Sequence, residues 1–367
     1  MRIAGQLGSS TRSGVVLGVL YPIRLEASLH ETIWGGRRLE RDGWKSLPPG
    51  DIFIGEAWET EISTIARNEP YRGKTLGTLV EELGSALLGK QAISIFGHRF
   101  PLLVKFIDAN DKLSVQVHPD DTYAGLHEGG KLGKTESWYI LAAEPGATII
   151  HGFKSPTTRT EVHEAIQHAS LEQLLHEETV QPGDVIFVPA GTVHAIGRGV
   201  MLYELQEYSD ITYRMYDYGR LTATGTPRQL HIEQSLAVSH YGVSPRVKVM
   251  RVPLAGGPGY DELCLVACKY FVTRELTFRQ ENGRLSCAEG RTQESCIILS
   301  SLGAEVEVHF GASLTGSERL SRGETMVLPA ALGSYHIEGE GRLLLSYVPT
   351  PDDKAWRLWE AKNGMKV

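Results

Sequence analysis

The sequence predicts a mostly β protein with two β-barrel domains and a short helical insert. Forty glycines and seventeen prolines in 367 residues indicate a chain rich in turns. Short apolar runs separated by turn residues recur along most of its length. In addition, the segments "QPGDVIFVPAGTVHAIG" (181–197) and "SRGETMVLPAALGSYHIEG" (321–339) echo each other, since both contain Gly, an acid, an apolar strand, Pro-Ala and then a histidine.

Composition excludes several classes of function. The chain is 41% hydrophobic and 22% charged with a formal net charge of −7, and it has no Lys/Arg-rich run, which argues against nucleic-acid binding. No apolar stretch approaches the ~18 residues of a membrane helix. The four cysteines form no paired CxxC motif, so a cysteine zinc site is not expected. We therefore expect a cytoplasmic protein with no nucleic-acid or membrane partner.

The chain divides into three parts by pattern. Residues 1–20 predict a disordered leader, 21–244 a first β domain, and 245–367 a second β domain. Within the first domain, "TLGTLVEELGSALLG" (75–89) predicts a helix with Thr75 as its cap. The polar stretch 156–178 predicts a helical insert of two short amphipathic helices, the second capped by Ser170.

The segment "KLSVQVHPDD" (112–121) carries polar residues at every second position of an apolar strand. Because side chains alternate along a strand, Ser114, Gln116 and His118 share one face. Such a face either meets water or lines a site. Pro119 and the two following acids predict a turn that ends the strand.

The segment 183–194, "GDVIFVPAGTVH", has the spacing Gly, five residues, Pro, one, Gly, two, His. It resembles the second conserved motif of the cupin fold, where an apolar strand crosses a barrel and the next strand starts with an inward histidine, here His194. Gln116, His118 and Glu136, which begins the next strong strand, would add an amide, an imidazole and a carboxylate. Such a nitrogen and oxygen set suits Zn²⁺ first, and Mn²⁺ or Fe²⁺ next. We expect two cupin-like jelly-roll barrels, with a metal only in the first.

Several segments together resemble type I mannose-6-phosphate isomerases, most closely their short bacterial branch. These segments are "FPLLVKFIDANDKLSVQVHPDDTYA", "GKTESWYIL", "PAGTVHAIG" and "QEYSDITYRMYDYGR", with "IWGG" and "GEAWE" nearer the start. The resemblance covers residues 21–240 and extends more loosely to the end. It implies a zinc-dependent aldose–ketose isomerase that interconverts mannose 6-phosphate and fructose 6-phosphate through a cis-enediolate.

The resemblance also implies roles for particular residues. The metal ligands would be Gln116, His118, Glu136 and His194, with one Zn²⁺ per chain and Gln116 as the loosest ligand. Lys134, Asp210 and Arg214 match catalytic positions, and Lys105 and Ser114 match positions that hold the substrate phosphate. The partner would be a small sugar phosphate, and monomer and homodimer both remain open.

Two other functions fit the residues. A cupin oxygenase would need redox-active iron with open coordination. A non-catalytic sugar-binding protein would need no proton carrier, yet Lys134 and Arg214 stand beside a full ligand set. Metal content, oxygen uptake and sugar-phosphate turnover distinguish the three.

Overall fold

Four β-sheets dominate the protein, whose computed structural model describes residues 20–222, 224–243, 246–280, 285–303, 305–311 and 313–365. The predicted leader, apart from residue 20, and the predicted boundary at 244/245 lie outside the described residues. The mostly β class predicted from the sequence is confirmed.

Twenty-three strands, numbered in chain order, lie within the described residues. They are β1 (Ile23–Glu26), β2 (Ser28–Gly36), β3 (Ile54–Trp58), β4 (Ile65–Ala66), β5 (Leu102–Ala109), β6 (Val115–Val117), β7 (Glu136–Ala143), β8 (Thr148–Phe153), β9 (Leu175–Thr179), β10 (Val185–Val188), β11 (His194–Ile196), β12 (Val200–Glu207), β13 (Tyr213–Tyr216), β14 (Val252–Pro253), β15 (Tyr260–Ala267), β16 (Val272–Phe278), β17 (Ser286–Arg291), β18 (Ile297–Ser301), β19 (Val306–Phe310), β20 (Gly316–Leu320), β21 (Thr325–Leu328), β22 (Ser334–Gly339) and β23 (Gly341–Tyr347).

The helices are fewer and short. They are α1 (Arg38–Arg41), α2 (Leu76–Leu83), α3 (Ser85–Leu88), α4 (Lys90–Phe96), α5 (Asp121–His127), α6 (Arg159–Gln167), α7 (Ile232–Val238) and α8 (Lys354–Asn363), with a 3-10 helix at Leu171–Gln173. No helix in the described ranges is both long enough and apolar enough to cross a lipid bilayer.

The two halves of the chain build sheets with the same strand order. In the first half the order is β10-β7-β12-β5-β3-β2, and a second sheet runs β13-β6-β11-β8-β9. In the second half the corresponding orders are β21-β18-β23-β16-β15-β14 and β17-β22-β19-β20. The sequence echo at 181–197 and 321–339 therefore falls on equivalent strands, β10–β11 and β21–β22.

The first strands of the chain join the sheet of the second half. β1 pairs antiparallel with β21, with Ile23 opposite Val327, and β4 continues the same sheet beyond β1. This pairing makes an eight-stranded sheet and ties residues near the start to the far end of the chain.

The sheets stack in layers because their strands bury both faces. The runs "VIFV" in β10 and "IILSS" in β18 are buried at every position, as expected of sandwich-core strands. The two large sheets pack back to back, and each covers a smaller sheet with its other face. Helices α6 and α7 cover the outer face of the five-stranded sheet.

Local capping explains the helix boundaries. Thr75 caps α2 as predicted, accepting a hydrogen bond from the Thr78 amide at 3.1 Å. The predicted single helix over 75–89 ends at Gly84, whose φ of 50° breaks it before α3. Asp120 caps α5 through the Tyr123 amide at 2.8 Å, which is how the "HPDD" turn is stabilised.

The insert at 156–178 differs from its prediction. Its first helix is α6, which begins with a capping box formed by Thr158 and Glu161. The prediction of a second amphipathic helix is wrong, because Leu171–Gln173 is a single 3-10 turn and residues 175–179 form β9. The Ser170 side chain makes no capping hydrogen bond, so nothing extends that turn into a helix.

Candidate metal centre and its pocket

Two histidines and one glutamate converge between the six- and five-stranded sheets. Glu136 begins β7, His194 begins β11, and His118 directly follows β6. Their ligand atoms all lie within 4.8 Å of one another. Glu136 Oε2 is 3.4 Å from His118 Nε2, and Glu136 Oε1 is 3.3 Å from His194 Nε2. All three side chains are buried.

Backbone carbonyls fix which nitrogen of each imidazole carries its proton. His118 Nδ1 lies 2.8 Å from the Ile211 carbonyl, and His194 Nδ1 lies 2.8 Å from the Thr192 carbonyl. A carbonyl only accepts, so each Nδ1–H donates and each Nε2 turns a lone pair toward Glu136. Holding the ring by its second nitrogen is the usual arrangement around a metal-bound histidine.

Charge in the centre is set by burial and by Lys134. Burial lowers the pKa of His118 to about 3 and also lowers the pKa of His194, so both imidazoles are neutral at neutral pH. Burial alone would raise the pKa of Glu136, but the charge of the adjacent Lys134 holds it well below its ordinary value. Lys134 Nζ lies 2.8 Å from Glu136 Oε2 and 3.2 Å from His118 Nε2.

In this centre the hydrogen-bond acceptors of Glu136 and of the two imidazoles therefore face one another. Neither oxygen of Glu136 receives a hydrogen bond of good geometry, and its contacts with the imidazoles contain no proton to share. A buried carboxylate in such surroundings is costly unless a cation satisfies it, and Lys134 Nζ lies 2.8 Å from its Oε2. Two neutral imidazoles and a carboxylate fit a divalent ion such as Zn²⁺, Mn²⁺ or Fe²⁺.

Gln116 lies beside the centre. It stands opposite His194 in the β6–β11 register, and its Nε2 is 3.2 Å from His194 Nε2. In this orientation the Gln116 amide nitrogen donates to the lone pair of His194 Nε2. With the amide turned over, its oxygen would point to the same place and complete a four-ligand set.

Arg214 and Ser114 lie next to Gln116 and contact each other. Arg214 stands opposite Gln116 in the β6–β13 register, so it shares the face that carries His194. Its Nε donates to Ser114 Oγ at 3.3 Å, and its Nη1 donates to the Gln229 carbonyl at 3.0 Å. A guanidinium and a hydroxyl are thus presented together.

Lys105 lies on the facing sheet in an ion-pair network that sequence reasoning missed. Its Nζ is 3.2 Å from Glu204 Oε1 and 3.4 Å from Glu56 Oε2, and it lies 4.5 Å from the centroid of the Trp58 ring. Burial and the Glu136 charge raise the pKa of Glu204, whereas the pKa of Glu56 is lowered by Lys105 against the effect of its burial. Glu204 also accepts from Trp138 Nε1 at 3.0 Å.

A signal for this network was present in the sequence. In "VMLYELQEY" the polar residues Glu204 and Gln206 alternate within an otherwise apolar strand, and every residue of β12 is buried. Polar groups at every second position of a fully buried strand indicate an interior polar face.

Asp210 is not brought to the centre. It follows β12 on an exposed loop, and its carboxylate pairs with Lys131 at 2.9 Å. Arg214, the other predicted catalytic residue of this segment, contacts Ser114, Gln229 and His231. Three residues separate Asp210 from Arg214, and the chain turns inward between them at the buried Ile211 and Tyr213.

Glu207 anchors the strand that carries Lys134 and Glu136. Its Oε1 accepts from the Thr135 amide at 2.8 Å, and its own amide donates to the Thr135 carbonyl at 3.0 Å. Its Oε2 has no hydrogen-bond partner, and burial together with the Asp121 charge raises the pKa of Glu207 to about 8. The carboxyl is therefore largely protonated at neutral pH.

Comparison with known proteins places this arrangement in a family. The profile of the phosphomannose isomerase type I catalytic domain matches residues 23–137. The mannose-6-phosphate isomerase ManA of Bacillus subtilis is 34% identical over 337 residues, covering 89% of this chain and 99% of that protein. The mannose-6-phosphate isomerase of Streptococcus mutans is 34% identical over 330 residues, covering 89% of this chain and 98% of that protein.

The chain belongs to the type I phosphomannose isomerase family. A crystal structure of the mannose 6-phosphate isomerase from Bacillus subtilis agrees with this assignment, with a TM-score of 0.76 at 33% identity, covering 89% of this chain and 99% of that chain. The family resemblance stated from the sequence is confirmed. Within the region matched by the phosphomannose isomerase profile lie Lys105, Ser114, Gln116, His118, Lys134 and Glu136, whereas His194 and Arg214 lie beyond it.

Removing one imidazole should empty the centre. We expect His118→Ala to lose its bound divalent metal, because two remaining protein ligands rarely hold a metal ion tightly. Elemental analysis after purification and dialysis checks this result. The control is His176→Ala, a half-exposed histidine of β9. Equal metal content in wild type and His118→Ala would remove His118 from the ligand set.

Replacing Glu207 should change how stability depends on pH. The folded protein holds this proton up to about pH 8, whereas an unfolded glutamate releases it near pH 4.5, so stability falls between these pH values and then levels off. In metal-free protein, Glu207→Gln should gain about 2–4 kcal/mol relative to wild type between pH 5 and pH 8. Urea unfolding measures this gain, and exposed Glu177→Gln should show none. Parallel pH curves for wild type and Glu207→Gln would contradict the raised pKa.

Proposed function

We propose that this protein is a zinc-dependent aldose–ketose isomerase that interconverts mannose 6-phosphate and fructose 6-phosphate. The buried triad of His118, Glu136 and His194 beside Lys134 carries the proposal, because it joins a metal-binding set to a proton carrier. Relatives at 34% identity over most of the chain are named mannose-6-phosphate isomerases, which supports the choice of substrate.

His118, Glu136 and His194 would hold the zinc ion, with Gln116 as the fourth candidate ligand. Bound there, zinc would polarise the carbonyl and hydroxyl oxygens of the open-chain sugar. The remaining chemistry is proton transfer, for which the chain supplies its own groups.

Lys134 is the proton carrier in this proposal. It is buried, and its Nζ sits at the edge of the triad, where it would move a proton between C2 and C1 of the sugar. Removal of the C2 proton gives a cis-enediolate; return of that proton to C1, together with transfer of the O2 proton to O1, gives the isomer. Both steps conserve atoms and charge within the pocket.

Arg214 and Ser114 would receive the anionic parts of the substrate. Arg214 projects from the same face as Gln116 and His194, so its charge can stabilise the developing oxyanion. Ser114, held by Arg214 Nε, would contribute a hydroxyl to the phosphate. Lys105 stays a candidate phosphate contact, although Glu56 and Glu204 already balance much of its charge. Asp210 has no place in this proposal because Lys131 holds it at the surface.

We also propose that each half of the chain is a cupin-like jelly roll, with a catalytic domain at 21–244 and a second domain at 245–367. The matching order of six strands in the two large sheets supports this division, with β1 and β4 of the first domain added to the sheet of the second. The enzyme would work in the cytoplasm on a small sugar phosphate, and monomer and homodimer both satisfy the site.

A coupled turnover assay on mannose 6-phosphate tests the function. Chelator-treated protein should be inactive, and stoichiometric Zn²⁺ should restore turnover without oxygen uptake. Oxygen uptake with iron-loaded protein would favour an oxygenase. Sugar-phosphate binding without turnover in zinc-loaded protein would favour a sugar-binding protein.

Lys134→Met should keep the metal and lose kcat by about 10²–10⁴-fold, the usual contribution of a positioned acid–base group. The matched control is Lys131→Met, three residues away and exposed, which should leave kcat unchanged. Metal content and steady-state kinetics are measured on both variants. A kcat for Lys134→Met within a factor of a few of wild type would rule out a proton-carrying role.

Arg214→Ala should keep the metal and lose mainly kcat, by about 10²-fold, because its charge acts on the oxyanion more than on ground-state binding. Asp210→Asn serves as the comparison and should change kcat by less than about twofold, since exposed ion pairs contribute little. If Asp210→Asn loses activity as strongly as Arg214→Ala, the surface position of Asp210 in the resting protein is not its working position.

A further inference from the structure

The second half of the chain has a pocket at the position that corresponds to the metal centre. Strand order alone defines the correspondence between β7, β10 and β12 and β18, β21 and β23. In the first half Glu136 stands opposite Val188, the residue before Pro189. In the second half Ile297 stands opposite Leu328, the residue before Pro329. Ile297 therefore occupies the place of Glu136.

Tyrosine and glycine stand at two further metal-centre positions, and a second tyrosine stands next to them. Tyr335 is the first inward residue of β22 and stands opposite Gly290, as His194 stands opposite Gln116. A Cβ atom on Gly290 would come within 2.2 Å of the Tyr335 ring, so glycine is what allows this ring to lie across β17. Tyr347 stands opposite Ile297, as Gln206 stands opposite Glu136.

An acid–base pair is retained at equivalent positions. In the first half Lys105 pairs with Glu56 across β5 and β3. In the second half the same register positions on β16 and β15 carry Arg274 and Glu262, which also form an ion pair. The second half has thus kept the charged pair in the wall of its pocket, while isoleucine, tyrosine and glycine stand at the positions of the metal-centre residues.

The pocket itself is open and of useful size. Its volume is about 300 Å³, and its wall includes Arg274, Ile297, Tyr335, Leu345, Tyr347 and Asp353. Arg274 Nε is buried without a hydrogen-bond partner, and Asp353 accepts from the Tyr347 hydroxyl at 2.8 Å. The pocket wall combines tyrosine side chains with the partly exposed guanidinium of Arg274 and a carboxylate, a combination typical of small-molecule sites.

The charged side chains in the pocket wall limit which ligands the pocket can bind. Besides Arg274 the wall has the guanidinium of Arg291, and it has three carboxylates, on Glu289, Glu294 and Asp353. The positive charge of Arg274 is already matched by Glu262. A phosphate group would find no surplus of positive charge here, whereas hydroxyl groups can both donate to the carboxylates and accept from the guanidinium.

We propose that this second pocket binds a neutral polyhydroxylated molecule of monosaccharide size. The rings of Tyr335 and Tyr347 would pack on its C–H face, and the partly exposed guanidinium of Arg274 and nearby carboxylates would bond its hydroxyls. The site is distinct from the metal centre, and its existence does not depend on which reaction that centre performs.

Ligand-observed saturation-transfer NMR on the full, zinc-loaded protein tests the proposal, with free D-mannose as probe. Spectra are recorded alone and with saturating mannose 6-phosphate to occupy the metal centre. We expect part of the mannose signal to survive the competitor. That residual binding should weaken about tenfold in Arg274→Lys, which keeps the charge toward Glu262 but loses the planar set of guanidinium N–H donors, and severalfold in Tyr347→Phe. Exposed Arg279→Lys is the control.

Each result of this NMR experiment either supports or overturns the proposed second site. Complete displacement by mannose 6-phosphate, absence of any mannose signal, or unchanged residual binding in both variants would overturn the proposal. Displacement of the residual signal by inorganic phosphate would show an anion site instead. If Arg274→Lys fails to fold, as judged by its melting curve, Tyr347→Phe decides. Turnover measured in parallel keeps this test apart from the proposed function, because a protein without turnover can still show residual binding sensitive to these variants.

Discussion

The constraint on which the site depends is a set of buried lone pairs that point at one another. Backbone carbonyls accept hydrogen bonds from the Nδ1–H groups of His118 and His194. Both rings therefore turn their Nε2 lone pair toward the carboxylate of Glu136. Burial keeps both rings neutral, and Lys134 keeps the carboxylate charged. An arrangement of this kind is unfavourable without a cation at its centre, and a divalent ion satisfies all three groups at once.

Two facing sheets hold this arrangement in place. Glu136 comes from a strand in the interior of the six-stranded sheet, and His194 from a strand in the interior of the five-stranded sheet, so neither can move without disturbing the apolar layer between them. Glu207 adds a further restraint, because its carboxyl accepts a hydrogen bond from the amide of Thr135, the residue between Lys134 and Glu136. In the second half of the chain the corresponding strands carry isoleucine, tyrosine and glycine at the positions of Glu136, His194 and Gln116, which illustrates that chemistry depends on side chains more than on the fold.

The sequence predicted the mostly β class, the family and the convergence of His118, Glu136 and His194, because alternation along strands and motif spacing are local signals. Other features depend on distant contacts. The ion pairs of Lys105 with Glu56 and Glu204 arise from cross-strand register, which no short segment encodes. The second helix predicted in the insert became β9 because residues 175–179 found a partner in β8, and this tertiary pairing overrode a helical pattern. Asp210 receives a catalytic position from the family resemblance alone, but its side chain lies on an exposed loop and pairs with Lys131, a contact that no local sequence pattern predicts.

Anomalous X-ray diffraction at the zinc absorption edge, on crystals of zinc-loaded protein, tests the metal centre most directly. The account predicts one peak per chain, about 2.0–2.1 Å from the Nε2 atoms of His118 and His194 and about 2.0–2.2 Å from a Glu136 oxygen. An empty position between these three side chains, or rings turned so that their Nε2 atoms no longer face Glu136, would contradict it.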